Sequence, residues 1–322
     1  MKKILVMMVV VVLVGNIASA TIDTFGTGSN QFTIEFVDIS GDASSENGTN
    51  ISGWDPGDGG YRTFIDPIND YRMGTYEITN DQWDKFKLAY GTVTGNPSSA
   101  YDSSTYWAGT NVPTNNISWY EGLQFVNYLN TSTGHQAAYK FTGTQGQSDY
   151  TFVPWEAGDV GYNADNPFRN SNAYYFLPTE DEWVKAAYWN GTSLQFYSNA
   201  SAGDIVSGTP DTTKWNYNPS TGYEPWNVGS GAKELNGTFD MMGNVWELLE
   251  SPYYSGDYLS DSWRGIRGDS YVGTQLGLTN RSSFNRPLDV SINTGFRIAS
   301  VPEPTTISLL AVGAMAMLRK RK

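Results

Sequence analysis

Residues 240–250, DMMGNVWELLE, come nearest in this sequence to a set of side chains spaced for chemistry. Asp240 and Glu247 stand seven residues apart, with a Gly-Asn pair and a tryptophan between them. Three readings fit such a pair. The carboxylates can share a hard cation with backbone carbonyls: calcium takes about six to eight oxygens of mixed kind, and Gly243 frees the backbone so that carbonyls converge. They can serve as the acid and base of a glycosidase. They can also do no chemistry, accepting nearby amide hydrogens while Val245 and Trp246 pack in the core. The spacing does not follow the EF-hand pattern.

Several other chemistries are excluded by composition. The chain has no cysteine, which removes thiol catalysis and any disulfide framework, and its one histidine, His135, cannot build a multi-histidine metal centre. In TSTGHQAAY, His135 reads as a surface or helix-edge residue. Arg267 in GIRGDS and Arg297 in GFR read as anchors for buried carbonyls or carboxylates rather than as substrate ligands. The RGD at 267–269 has meaning only on an exposed tip. N-x-S/T sequons such as Asn47, Asn116 and Asn236 arise readily in so Asn-, Ser- and Thr-rich a chain.

The elements that must position these residues announce themselves by their caps. Thr79–Gln82, Ser118–Glu121 and Thr179–Glu182 are capping boxes, in which a hydroxyl accepts the N3 amide hydrogen and the Gln or Glu reaches back to the cap amide. Each opens a helix with a tryptophan (Trp83, Trp119, Trp183) on an apolar stripe, which reads as core rather than as a ligand platform. FTIEFVDI at 32–39 alternates as a strand does. Among 322 residues there are 11 Trp, 21 Tyr and 14 Phe with 34 Gly, a composition that predicts a loop-rich α+β domain with an aromatic core. Polar connections at 91–113, 131–172 and 190–235 are long enough to carry function. No boundary interrupts residues 21–300, so a single domain is expected.

Both ends read as addresses. Residues 1–20 have two lysines, an apolar run from Ile4 to Val14 and Ala18-Ser19-Ala20 as a cleavage site, the pattern of a secretory signal. Residues 301–322 run through Pro302-Glu303-Pro304, an apolar stretch from Ile307 to Leu318 and Arg319-Lys320-Arg321-Lys322. This order resembles the PEP-CTERM sorting signal. The resemblance implies export by a bacterium, processing of the tail by an exosortase-type enzyme and transient membrane association. A plain membrane tail with positive-inside flanks is the other reading. The net charge is −13, and six of the 20 Lys+Arg lie in these two segments, so the remaining chain is strongly acidic. Such a surface repels phosphate backbones and argues against a nucleic-acid partner.

Six segments together resemble one family, the formylglycine-generating enzyme or sulfatase-modifying factor domain. They are YRMGTYEITNDQW (71–83), VPTNNISWYEGLQFVNYLN (112–130), YFLPTEDEWVKAAYW (175–189), GTFDMMGNVWEL (237–248), RGIRGDSY (264–271) and NTGFRIAS (293–300). The resemblance implies an α+β, C-type-lectin-like fold over 61–300, with 21–60 as its N-terminal strand and Gly/Asp-rich segment. It also implies an oxidase holding copper on two cysteines, at positions that fall near Thr274 and Thr279 here. A hydroxyl stays protonated near neutral pH and its oxygen suits soft copper poorly. The branch that uses iron on three histidines is likewise excluded, so no copper or iron site is expected.

What the resemblance retains is a structural calcium ion, on Asp240, the carbonyls of Gly243 and Val245, and Glu247. A second calcium site would begin at Asn216 and Tyr217, with its carboxylate position near Ser220. The expectation is therefore an exported, non-catalytic binding or surface/matrix protein at the cell surface or outside it. Aromatic and Asn/Asp-rich loops would bind extracellular polysaccharide. An oxidoreductase of the formylglycine-generating type, or another enzyme using the same cleft, is the alternative.

Overall fold

The run that alternates in sequence forms strand β2 (Phe32–Ile39), following β1 (Thr21–Phe25). Phe32, Ile34 and Phe36 enter one hydrophobic core, and Val37 and Ile39, of opposite parity, enter another. Successive strand side chains point to opposite faces, so a strand apolar on both parities must be covered on both sides. The sheet that contains β2 is the partition between the two cores. Its order is β1, β2, β3 (Tyr71–Gly74), β13 (Ala299–Ser300) and β6 (Tyr175–Phe176), with every neighbouring pair antiparallel. The computed structural model describes residues 20–54, 60–95, 104–201, 205–206, 208–218, 222–284 and 286–302. The leader up to residue 19 and the tail from residue 303 lie outside the described residues.

All three capping boxes form. Thr79 Oγ1 accepts the Gln82 amide at 3.3 Å and Gln82 Oε1 accepts the Thr79 amide at 2.8 Å, opening α1 (Asn80–Tyr90). Ser118 with Glu121 opens α2 (Trp119–Ser132), and Thr179 with Glu182 opens α3 (Glu180–Tyr188). Trp83 and Trp119 are buried in the first core, with Phe86 and Phe125; Trp183 is buried in the second, with Met241 and Met242. These tryptophans are core, as their stripes require.

A second sheet runs β11 (Arg281–Phe284), β10 (Arg264–Arg267), β9 (Trp246–Pro252) and β12 (Thr294–Gly295). β12 lies parallel to β9, and after a link of three residues the chain enters the first sheet as β13. Within that link Phe296 and Ile298 sit in the first core, while Arg297, between them in sequence, is turned onto Glu247 of β9. The GFRIAS segment thus stitches the sheets together and delivers one guanidinium to the turn ahead of β9.

The long connections carry only the pairs β4 (Phe141–Thr142) with β5 (Thr151–Phe152) and β7 (Ile205–Val206) with β8 (Thr209–Pro210) among the described residues. Asparagines help to hold them: Asn127 Oδ1 accepts the Tyr139 amide at 2.9 Å and Asn170 Nδ2 donates to the Val160 carbonyl at 2.8 Å. Asn236 Nδ2 donates to the carbonyls of Ala186 at 2.9 Å and Trp189 at 2.8 Å, satisfying orphan acceptors at the end of α3. His135 is exposed and stacks on Tyr174, with centroids 4.4 Å apart.

Candidate functional site

The turn that leads into β9 is built on left-handed backbone: Asp240 at φ 62°, Gly243 at 93° and Asn244 at 61°. A Cβ on Gly243 would stand 2.4 Å from the Asn216 carbonyl oxygen, so glycine is needed there for room as well as for φ. Two carboxylates from elsewhere hold the turn's amides. Glu234 accepts from Met241 N and Met242 N, each at 3.1 Å, and Glu77 accepts from Asn244 Nδ2 at 2.8 Å and Val245 N at 3.3 Å. Asp240 Oδ2 accepts the Gly229 amide at 2.6 Å.

Glu247 meets a cation of the chain itself. Its Oε2 accepts Arg297 Nε at 2.6 Å and Trp183 Nε1 at 2.8 Å, and its Oε1 accepts Arg297 Nη2 at 2.6 Å. Arg297 also donates to the carbonyls of Gly74 and Phe239. Among the described residues, Glu77, Glu234, Asp240 and Glu247 are therefore set against the Arg297 guanidinium, and all four are nearly inaccessible to solvent. Burial raises the Glu234 carboxyl to about 8, Arg297 pulling the other way and Asp240 adding to the rise. Burial raises Asp240 to about 6 against the pull of the Gly229 amide and Arg297. Glu77 is pushed well above its ordinary value by burial, with Asp240 and Glu247 adding to it. The cluster demands positive charge, as bound protons or as a cation.

The sequence singled out Asp240 and Glu247 and the structure brings them into this cluster, but Glu77 and Glu234 escaped it. No spacing marks them, because Glu77 lies ahead of α1 and Glu234 in an irregular loop. The four carboxylates surround the turn without converging on one point. Among the described residues no three His, Cys, Asp or Glu stand together as an ion site, so a cation here needs carbonyls such as those of Gly243 and Val245. Asn216 packs behind the turn: its carbonyl accepts the Asn244 amide at 2.7 Å and its Nδ2 donates to Asn244 Oδ1 at 3.2 Å. The Tyr217 hydroxyl donates to the Pro210 carbonyl at 2.6 Å. The position near Ser220 lies outside the described residues.

Thr274 and Thr279, the positions expected from the resemblance to correspond to the copper-binding cysteines, line a cleft of about 330 Å3. Its walls include Phe196, Tyr197, Tyr217, Gln275 and Asn280. Tyr271 is buried against Trp107, and Arg281 turns to Glu180, so neither belongs to it. The loop is shaped from beneath by Asp269 (φ 65°), whose carboxylate accepts Ser270 N at 2.8 Å, Gln275 N at 3.1 Å and Asn280 Nδ2 at 3.2 Å. Arg267 donates to the carbonyls of Leu278 at 2.7 Å and Asn280 at 3.1 Å. The RGD tripeptide is thus interior, with both charged members buried.

A Cβ on Gly273 would sit 1.7 Å from Asp269 Oδ1, a carboxylate that cannot swing away without dropping three hydrogen bonds. Gly273→Ala is expected to cost about 1–3 kcal/mol by overpacking, read from urea unfolding.

Behind Arg267 stands a buried ion cluster. Glu180 Oε1 accepts Arg267 Nε and Arg281 Nε, each at 2.8 Å, and Arg62 Nε lies 3.5 Å from Oε2. Burial alone would raise the Glu180 carboxyl, but the guanidiniums of Arg267, Arg281 and Arg62 outweigh it and hold the group at about 2.

Two packed sheets flanked by three short helices, with irregular loops building a surface cleft, define a C-type-lectin-like α+β domain of the formylglycine-generating type. Residues 63–301 match the sulfatase-modifying factor enzyme 1-like domain, and the chain belongs to that family. Residues 300–322 match the PEP-CTERM protein-sorting motif, which implies export and processing of the C-terminus by an exosortase. Among the described residues no helix is long and apolar enough to cross a membrane.

A chaperone protein, LppX, of Paenibacillus barcinonensis is 24% identical over 221 residues, 64% of this chain and 71% of that protein. The inactive C-alpha-formylglycine-generating enzyme 2 of Bos taurus is 29% identical over 140 residues, which span 38% of this chain and 43% of its own. The fold is shared with Treponema denticola variable protein 1 (TM-score 0.59, 19% identity, 88% of this chain and 100% of that one). PvdO from Pseudomonas aeruginosa also shares it (TM-score 0.58, 16% identity, 87% and 98%).

Proposed function

We propose that this chain is an exported, non-catalytic binding protein whose ligand is a neutral extracellular polysaccharide, held in the cleft between Phe196–Tyr197 and the 274–280 loop. The observation that carries the reading is the cleft's chemistry. Aromatic rings stand beside hydroxyl and amide side chains, and among the described residues no carboxylate, amine, guanidinium, imidazole or thiol lines it. Sugar faces stack on rings, and sugar hydroxyls exchange hydrogen bonds with Thr, Gln and Asn. Transfer chemistry needs a nucleophile with a base to activate it. Thr274 and Thr279, the positions that the resemblance gives to the copper-binding cysteines, have no base beside them among the described residues of the cleft wall. A relative whose name calls it inactive, and the sorting motif, support the same reading.

The test is binding of the exported chain to polysaccharides extracted from its producer's matrix, by affinity electrophoresis, with Tyr197→Ala alongside. Retardation that Tyr197→Ala weakens several-fold is the expected result, a stacking ring contributing ~0.5–1.5 kcal/mol beyond its burial. No retardation by any of them, or conversion of a sulfatase cysteine to formylglycine when the two are co-expressed, overturns the reading.

A structural calcium ion belongs to the same proposal. Asp240, Glu247 and the carbonyls of Gly243 and Val245 are an all-oxygen set of the kind calcium takes. The excess of buried carboxylates over guanidinium around them supports it. Glu247 would share its oxygens between the ion and Arg297. The second expected site, at Asn216 and Tyr217, is not part of the proposal.

A further inference from the structure

Both ends of the described chain are tied to one buried side chain. Arg72 of β3 donates from Nη1 to Thr21 Oγ1 at 2.9 Å, from Nη2 to Asp23 Oδ2 at 2.7 Å, and from Nε to Ser300 Oγ at 2.9 Å and the Val301 carbonyl at 3.2 Å. The Val301 amide donates to the Tyr174 carbonyl at 2.9 Å. Residue 21, the first after the leader read from the sequence, and residue 301, the root of the sorting tail, therefore leave the domain at one rigid corner.

The tail gives that corner little freedom. Its apolar run starts at Ile307, and the six residues from Val301 reach at most about 20 Å when extended. A domain of this size has a radius of gyration of about 19 Å, so the reach is less than its width. A tail inserted in a bilayer thus presses this corner, and no other, against the lipid surface. The run from Ile307 to Leu318 is also shorter than the ~20 residues of a spanning helix, so added apolar contact matters.

The corner offers such contact. Val301 helps to wall a cleft of about 470 Å3 that is also lined by Ile65, Pro67 and Ile68. Ile68 is 97% exposed and Ile65 57%. One exposed isoleucine needs no explanation, but two flanking a proline beside the tail root stand where the short reach puts the bilayer. The loop is held in place: Ile65 N donates to Asp181 Oδ1 at 3.1 Å, and the intervening Asp66 pairs inward with Lys185 at 2.7 Å.

We propose that this corner is a lipid-docking surface: while the tail is attached, Ile65 and Ile68 seat among the headgroups of the membrane that holds it, and removal of the tail releases the domain. With a net charge of −13, and the exposed Asp70 beside the loop, the surface suits zwitterionic rather than anionic lipid.

Because the chain has no cysteine, an introduced one is a unique label. Ile68→Cys and, as control in the other cleft, Thr274→Cys are each made in the full chain, labelled with an environment-sensitive fluorophore and mixed with phosphatidylcholine vesicles containing brominated lipid. Quenching at position 68 several-fold above that at 274 is expected, as is a several-fold drop in vesicle flotation for unlabelled Ile68→Asp. Ile68 packs against so little that neither change threatens folding. Equal quenching at the two positions, quenching at neither, or a chain that fails to float overturns the proposal. Failure with pure lipid would leave the corner to a protein, such as the processing enzyme.

Discussion

Glu180→Ala is expected to lower the unfolding free energy by about 3–5 kcal/mol, because it leaves guanidiniums buried without their carboxylate. Arg267 and Arg281 both direct Nε at Glu180 Oε1, and neither Arg267 nor Glu180 is exposed. The loss reaches the cleft, since the same Arg267 holds the carbonyls of Leu278 and Asn280. Urea unfolding followed by tryptophan fluorescence measures the cost; a change below about 1 kcal/mol would mean that solvent or a neighbouring acid replaces Glu180.

The pH dependence has a definite sign. A folded-state value of about 2 against an ordinary 4.5 means that the unfolded chain binds this proton more readily. The stabilisation is fully present above about pH 4.5 and is lost as the pH falls toward 2. The gap between wild type and Glu180→Ala should close over that window. Asp181 works in the opposite direction: burial raises it to about 6 against the pull of Arg62. Its cost is present above about pH 6 and is relieved as the pH falls toward its ordinary 3.8.

Glu247→Ala is the second large effect, again about 3–5 kcal/mol, and it should persist in chelator. The substitution strips Arg297 of both carboxylate contacts and Trp183 of its acceptor, whether or not an ion is bound. It is therefore a poor reporter of calcium, and Asp240→Asn is the better one, because the amide keeps an oxygen for Gly229 N and, among the described residues, Asp240 forms no ion pair to break. Thermal and urea unfolding of the wild type with calcium and with chelator should differ by RT ln(1 + [L]/Kd), ~2.7 kcal/mol at a hundredfold excess over Kd. Asp240→Asn should abolish the difference. A wild type indifferent to calcium would leave the turn to Arg297 and to protons on the carboxylates.

What could be read in advance had short range. The strand at 32–39, the three capping boxes and the buried tryptophans each depend on residues within a few positions, where the periods 2.0 and 3.6 and the reach of a cap operate. Arg267 and Arg297 were legible as anchors, and the Gly-Asn turn as a place needing unusual backbone. Their partners were not. Arg297 meets Glu247 across 50 residues, Arg267 meets Glu180 across 87, and Glu77 meets Asn244 across 167. No local pattern encodes such distances.

The sequence by itself determined three helices and one strand, the resemblance to a lectin-like family, the sorting segment and the exclusion of thiol and multi-histidine chemistry, because those follow from residue type and near-neighbour spacing. Only the tertiary structure decided that Glu247 is met by an arginine and that Thr274 and Thr279 line a cleft with aromatic walls. It alone placed the tail root on the same arginine as residue 21. Electrostatic pairing and the shape of a cleft depend on which distant segments the packed cores bring within a few ångströms, and that is a property of the fold.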